Sequence, residues 1–542
     1  MTRREAVLSA LLVFVVALVV RAVFAAQIVF PKPEDTAYYV GVAQNLLEGR
    51  GLVSDAIWSY HTEPLVFPKP AFEVWLPLPT WLAAGAMALL GTSFAAAQVP
   101  VVLVGALVAV LAWRLAADVA EARALPAGRA RTLALGTGLI AAVYLPLVLH
   151  SALPDSTMPF ALFALAACVL MARIAADPRG ARLTDPRVLA LGLTLGLAAL
   201  TRNEAVWLAL IWVGLAWTAT GTTVAERVRI IGVAGIVAFA VFLPWMVRNL
   251  ETFGSPLPGQ AISNAFSVTG FDIFAWSEEP TLERYLAVGP QGLLEMRAVG
   301  IGHNLSSVLL LPGFPVSLIG LVGLPWAIRG RAVRPVVLIS LLTFLVTSLV
   351  FPVATTWGTF LHAAGPVHVL LVLSALLALD ALLVRIGTWR GWTRPVAWLG
   401  AVLGVAASLL FSAVLLPGFG EGSRVTAAQF EELGARMAAL GRPLDASAGP
   451  VISNFPIWMA ETQGIPALAL PDEPPTAVLD LAATFEGTRY LVLIDPSGAH
   501  WPQDLDAGLP GSECFRPLDL PPPTGAGPDV LADTTVYEIA CP

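Results

Sequence analysis

Two neighbouring carboxylates, Glu34 and Asp35, open a stretch that carries no other charge as far as Leu47. An ionised carboxylate can take a proton from a hydroxyl, so either residue is a candidate general base. Asp35 is equally suited to capping the helix that its sequence begins, as is Thr36. Four cations complement this pair: Arg21, Lys69, Arg202 and Arg248. Such groups bind phosphate oxygens through charge-assisted hydrogen bonds; the alternative is that their long chains snorkel to lipid headgroups. Tyr39, Glu73, Asp155, Glu204 and His362 are further polar candidates, with His61 and His303 beside them. Asp155, followed by Ser156 and Thr157, reads either as a helix cap or as a site carboxylate. Carboxylates from separate loops could also hold a divalent cation, although no spacing specifies one. The sequence has no His-Glu zinc motif, no phosphate-cradling glycine loop and no dinucleotide fingerprint, so nucleotide-dependent chemistry has no support.

These residues need elements to position them, and composition says what the elements are. The chain has 542 residues, 57% hydrophobic and 13% charged. Soluble domains carry about 25% charge, so lipid must solvate most of this chain. Apolar runs predict about eleven spans, at 6–28, 95–117, 133–150, 157–176, 188–201, 205–220, 230–247, 305–328, 335–352, 366–384 and 396–417. The arginine clusters orient them. Arg3 and Arg4 precede the first span, Arg123, Arg129 and Arg131 follow the second, and Arg179, Arg182 and Arg187 follow the fourth. Arg227 and Arg229 follow the sixth, Arg329, Arg331 and Arg334 the eighth, and Arg385, Arg390 and Arg394 the tenth. All fall on one side, which by the positive-inside rule is the cytoplasm. The N-terminus is then cytoplasmic, and the first loop (29–94), the fourth outer loop (249–304) and the tail lie outside.

Tyr39, Val42, Ala43, Leu46 and Leu47 follow helical apolar spacing, so the first loop should hold an amphipathic helix on the membrane surface, ended by Gly49. Residues 76–91, broken by Pro77 and Pro79, predict a second interfacial helix, with a further span as the alternative. The tail alternates expected helices (Val425–Leu440, Thr476–Phe485) with expected strands (Pro450–Ser453, Tyr490–Ile494, Thr535–Ala540), the pattern of a small α/β domain. From Pro417 onward 17 Asp and Glu stand against 5 Arg, and before it 26 basic residues stand against 21 acidic. An acidic tail on a mildly basic membrane body argues against nucleic acid as a partner. Of three cysteines, Cys168 reads as core filler, whereas Cys514 and Cys541 can form a disulfide if the tail is extracytoplasmic.

The stretch Asp35 to Gly51, with Tyr39, Ala43 and Gly49 between, resembles the first-loop signature of type C glycosyltransferases. It is most similar to the branch that holds the protein O-mannosyltransferases and the bacterial aminoarabinose transferases of lipid A. Gly196 to Glu204, including Leu200-Thr201-Arg202, resembles a second family segment. Pro244-Trp245 with Arg248-Asn249 and Phe253 to Pro256 resembles a third. Arg21 resembles a common arginine late in the first span. The resemblance implies transfer of a sugar from a polyprenyl phosphate on the outer face, with inversion at the anomeric carbon. It implies that Asp35 is the general base, and that Arg202, Arg248 and Lys69 are ligands of the donor phosphate. Three departures stand out. Glu34 precedes Asp35 where many members have a carboxylate after it, which leaves open which of the two is the base. Phe67 to Phe72 is only loosely like the family's proline-rich segment, and Trp357 to His362 only partly like its counterpart.

The expectation is an α-helical polytopic membrane protein with a transmembrane glycosyltransferase domain over 1–417 and an extracytoplasmic α/β domain over 418–542. It would sit in the plasma (inner) membrane, take a polyprenyl-phosphate sugar as donor, and glycosylate a protein, lipid or polysaccharide acceptor. The rival is a transporter or flippase of lipid-linked sugars. That reading predicts inverted repeats and polar residues near the bilayer midplane, and the sequence shows neither.

Overall fold

The computed structural model describes residues 2–177, 185–258, 263–392, 396, 398–523 and 528–541. Arg179, Arg182 and Arg394, residues 259–262 of the fourth loop, residue 397 of the last expected span, and 524–527 and Pro542 of the tail lie outside the described residues.

Seven helices among the described residues are long and apolar enough to cross a membrane: Arg3–Ala25, Phe94–Ala122, Thr157–Ala176, Val224–Phe253, Arg331–Leu349, Gly365–Arg390 and Trp398–Ala439. The pair Ala127–Val143 and Leu145–Ala152, bent by 57°, makes an eighth if it is one span. The chain is a multi-pass membrane protein. The expected spans at 188–201, 205–220 and 305–328 fall on the shorter helices Pro186–Ala199, Ala205–Trp217 and Val316–Ala327. The first two are separate helices, since the chain leaves the helix between Leu200 and Glu204. In the third, a π-helical turn over Asn304–Leu310 replaces the start of the regular helix.

Local chemistry sets several boundaries. Thr2 and Thr223 open their helices with capping boxes completed by Glu5 and Glu226. Gly254 ends Val224–Phe253 in the left-handed region, with φ 69°.

The first loop forms the helix Glu34–Leu47, then short strands, then the helix Leu78–Leu90. The helix starts at Glu34, and Pro33 occupies the cap position without any side-chain bond. Asp35 and Thr36 are therefore not its caps: both lie inside the first turn, where their backbone is already helical. Nor is one face left open to the membrane surface. Thr36 through Ala43 are all buried, because Leu78–Leu90 and a tail helix, Pro456–Gln463, both pack against this segment.

The last apolar helix, Trp398–Ala439, runs unbroken through Pro417 into the tail. Beyond it lies a six-stranded sheet of β2 (Ala56–Ile57), β4 (Val451–Ser453), β5 (Ala467–Ala469), β6 (Tyr490–Ile494), β7 (Phe515–Pro517) and β8 (Thr534–Ile539). The order is β2-β5-β4-β6-β8-β7. Strands β2, β5, β4 and β6 run parallel, whereas β8 and β7 are antiparallel. β2 comes from the first loop, with Ala56 opposite Ala467 and Ile57 opposite Leu468. The remaining strands, β1 (Val53–Ser54) and β3 (Lys69–Pro70), pair with each other. Cys514 and Cys541 are disulfide-bonded, joining the segment before β7 to the one after β8.

The fourth loop is largely helical, with Leu282–Ala287 and Gly289–His303 after two short 3-10 turns. It is pinned to the tail by Glu473. That carboxylate accepts backbone N–H groups from Trp276 (2.8 Å), Ser277 (3.0 Å) and Glu278 (3.0 Å), and the Ser277 hydroxyl (2.5 Å).

Candidate active site

A cavity of about 790 Å³ lies where the start of Glu34–Leu47, the Leu200–Glu204 break, the fourth loop, the segment Trp357–His362 and the tail helix Pro456–Gln463 meet. Its polar lining includes Glu34, Asp35, Tyr39, Arg202, Glu204 and His362. Its apolar lining continues onto Val206 and Trp207 of the short apolar helix Ala205–Trp217 and onto Val346 of the membrane-length helix Arg331–Leu349. Such a cavity offers one pole to a charged headgroup and another to hydrocarbon.

Asp35 Oδ2 lies 3.2 Å from His362 Nε2. The other imidazole nitrogen, Nδ1, is 2.7 Å from the Thr157 hydroxyl and 3.8 Å from Asp155 Oδ2. An ionised carboxylate only accepts, so a neutral His362 must carry its proton on Nε2 to face Asp35. The Thr157 hydroxyl then donates to Nδ1. Asp155 Oδ1 accepts the Thr157 backbone N–H at 2.7 Å. Asp155, one residue before the cap position Ser156, thus accepts a first-turn N–H of the helix Thr157–Ala176 with one oxygen and faces His362 with the other. Burial holds the Asp155 carboxyl above its ordinary range, and His362 offsets part of that.

Arg202 occupies the break between two helices, where side chains are free to turn into the cavity. Its Nε and Nη2 bond Glu204 at 3.0 and 2.6 Å, and its Nη1 bonds the Ser156 hydroxyl at 2.9 Å. Burial works against this charge, but Glu204 together with the neighbouring Tyr39 and Asp35 outweighs it and keeps the Arg202 pKa above its ordinary value. Tyr39 is buried against the same cluster, and burial pushes its phenol up, so it stays neutral.

Glu34 Oε1 accepts the backbone N–H groups of Ile457 (2.8 Å) and Trp458 (3.2 Å). Those bonds favour its anion. Burial outweighs them and raises the carboxyl to about 8.

Lys69, Glu73, Arg248 and Arg21 do not line the cavity. Lys69 and Glu73 stand 3.9 Å apart, both buried, and Lys69 donates to Thr62 O at 2.8 Å. Burial lowers the Lys69 pKa and raises that of Glu73, so both lean towards their neutral forms. Arg248 stacks over Trp245 (4.8 Å) and Phe253 (5.0 Å). Arg21 is fully buried and bonds Ser151 Oγ (2.9 Å), Ala142 O (2.9 Å), Ala141 O (3.1 Å) and Ala17 O (3.3 Å). Four of its five N–H donors are taken by these groups at a helix bend, away from the cavity lining.

Several lining residues escaped the sequence reading. Trp58 and Trp75 stack at 4.4 Å, and Phe455 and Trp458 at 4.9 Å, on the cavity wall. No periodic signal marks them, since each sits outside regular apolar repeats or in the tail. Ser156 and Thr157 read from sequence only as part of a cap. Among the described residues no group of three or more His, Cys, Asp or Glu side chains could hold a metal ion.

No sequence-family model and no curated relative matches the chain. Solved structures do. ArnT from Cupriavidus metallidurans bound to undecaprenyl phosphate is similar over 98% of this chain and 99% of its own, with 12% identity and a TM-score of 0.59. The apo state of ArnT is similar over 98% of each chain, at 13% identity and a TM-score of 0.57. The oligosaccharyltransferase AglB from Archaeoglobus fulgidus, in complex with an inhibitory peptide and a dolichol-phosphate, is similar over 89% of this chain and 69% of its own. There the identity is 13% and the TM-score 0.54. These neighbours are type C glycosyltransferases, and this chain has their fold.

Proposed function

We propose that this chain is a glycosyltransferase that moves a sugar from a polyprenyl-phosphate donor to an acceptor hydroxyl on the extracytoplasmic face. The observation that carries the reading is the convergence of Asp35, His362 and Arg202 on one cavity that continues onto membrane-helix side chains. A sugar on a lipid phosphate cannot leave the bilayer, so its transferase must offer a charged pole beside an apolar one. Solved relatives in fold hold undecaprenyl phosphate and a dolichol-phosphate.

In this reading Asp35 takes the proton from the acceptor hydroxyl. The acceptor oxygen bonds to the anomeric carbon as the carbon–oxygen bond to phosphate breaks. The electron pair of that bond leaves on the phosphate oxygen. One in-line displacement inverts the anomeric carbon. Arg202, in the same cavity, stabilises the charge that grows on the leaving phosphate. His362 holds the Asp35 carboxylate in place, itself oriented by Thr157 and Asp155.

Two further features support an outward-facing site. The tail holds a disulfide, a bond that persists in oxidising compartments. The arginine clusters gather on the opposite side of the expected spans. With this orientation the 418–542 region forms the extracytoplasmic α/β unit, joined to the membrane body by the continuous helix Trp398–Ala439.

The test is transfer from labelled polyprenyl-phosphate sugars to protein, lipid and polysaccharide acceptors by purified protein. Asp35→Asn should leave the protein folded and reduce transfer by at least about 10³-fold. Wild-type rates in that variant rule out the assigned base.

A further inference from the structure

The carboxylate beside the proposed base has a different employment. Helix Pro456–Gln463 begins with a proline, and the residue before it, Phe455, offers no side-chain cap. Its first-turn N–H groups therefore have no partner within their own segment. Glu34 supplies one from across the molecule, accepting from Ile457 and Trp458 through a single oxygen. The same contact is reinforced on either side. Trp458 Nε1 donates to Pro31 O at 2.8 Å, and the Phe30 ring packs against Phe430 and Trp458. Further along the Glu34–Leu47 helix, Gly41 leaves room for Glu461, whose Oε1 would lie 1.9 Å from a Cβ at that position. The helix bearing Asp35 is thus seated on the tail helix at both Glu34 and Gly41.

We propose that Glu34 is a positioning residue: by capping helix Pro456–Gln463 across this seat, it fixes the angle at which Asp35 meets His362 and the cavity. The inference rests on Asp35 being the base. It answers which of the adjacent carboxylates takes the proton, and it makes the tail part of the site's framework. A cap needs an acceptor oxygen rather than a negative charge. An amide can therefore replace Glu34, although it cannot replace a base.

Three variants in the full-length protein test this by steady-state transfer from a labelled polyprenyl-phosphate sugar. Glu34→Ala should lower kcat by about 10–100-fold while donor KM moves less than about threefold, because the base is displaced and the donor subsite is not. Glu34→Gln should restore kcat to within about fivefold of wild type, since its Oε1 can accept the same N–H groups. Gly41→Ala, which pushes Glu461 off the same seat and leaves Glu34 intact, should lower kcat about two- to tenfold at unchanged donor KM. A Glu34→Gln variant as inactive as Glu34→Ala overturns the proposal and makes Glu34 a proton acceptor. Wild-type kcat in both Glu34→Ala and Gly41→Ala overturns it as well. Should Glu34→Ala fail to fold, Glu34→Gln and Gly41→Ala decide between them. Full activity in Asp35→Asn would instead remove the underlying reading, so the two failures are distinct.

Discussion

Arg21 and Arg202 carry the same group, and both were candidates for the same phosphate. Arg21 sits inside the first helix, facing the bend between Ala127–Val143 and Leu145–Ala152. Pro146 has no N–H, so the carbonyl of Ala142 loses its helical donor there, and Arg21 fills that role. Gly105 makes this approach feasible, for a Cβ there would stand 2.0 Å from Ser151 Oγ and 2.8 Å from Arg21 Nε. Arg202 instead leaves the helix altogether and is balanced by the carboxylate of Glu204 at the cavity. A buried charge bound to carbonyls repairs backbone, whereas one balanced by a carboxylate at a cavity wall stands where the proposed donor phosphate would lie. Position near the outer end of a span does not separate the two; the partner does.

Breaking each arginine should separate them by signature. Arg202→Ala should lower kcat/KM by about 10²–10³-fold, the usual loss when one stabiliser of a developing charge is removed. An unchanged kcat/KM in that variant would dissolve the contrast. Arg21→Met should do the reverse. It leaves carbonyls in the interior unpaired, at about 1–3 kcal/mol each, so the melting temperature should fall by more than about 5 °C. The folded fraction should keep its wild-type donor KM, and a raised KM would restore Arg21 to the site.

Glu34 sharpens the comparison, because it is a carboxyl held by backbone N–H groups much as Arg21 is a cation held by carbonyls. In the folded chain its carboxyl ionises only near 8, against an ordinary value of 4.5. Between those values the folded state keeps a proton that the unfolded state has lost. The stability this group contributes therefore falls as pH rises from 4.5 to 8. The Glu34→Gln variant should show a shallower decline of melting temperature over that window than wild type. Superimposable slopes would show that Glu34 is ionised in the folded chain.

Much of the framework was legible because lipid imposes length and polarity on each span. The expected span 157–176 coincides with Thr157–Ala176, where Asp155 gives a start signal that local chemistry writes into the chain. The lining of the candidate site was legible where its residues cluster in one segment, as with Asp35 and Tyr39 or with Arg202 and Glu204. Elsewhere the partner lies far away in sequence. Nothing near Ala56 announces that β2 will pair with Ala467, since two residues carry no period. The capping role of Glu34 is invisible without Ile457 and Trp458. Likewise, the pairing of His362 with Asp35 depends on two helices meeting, which spacing within either one cannot express. The burial of the Glu34–Leu47 helix was missed for the same reason, as its covering helix belongs to the tail.

The placement of β2 has a consequence for how the molecule is made. Strand β2 leaves the ribosome long before β5, the strand it joins. At about 5–20 residues per second, that gap lasts some tens of seconds. During that interval the remaining membrane helices are made one after another, yet the wall around Asp35 has no Trp458 and Glu34 has nothing to cap. A nascent chain therefore carries the chemical groups of the site without the site itself, and its cavity closes only as synthesis nears completion.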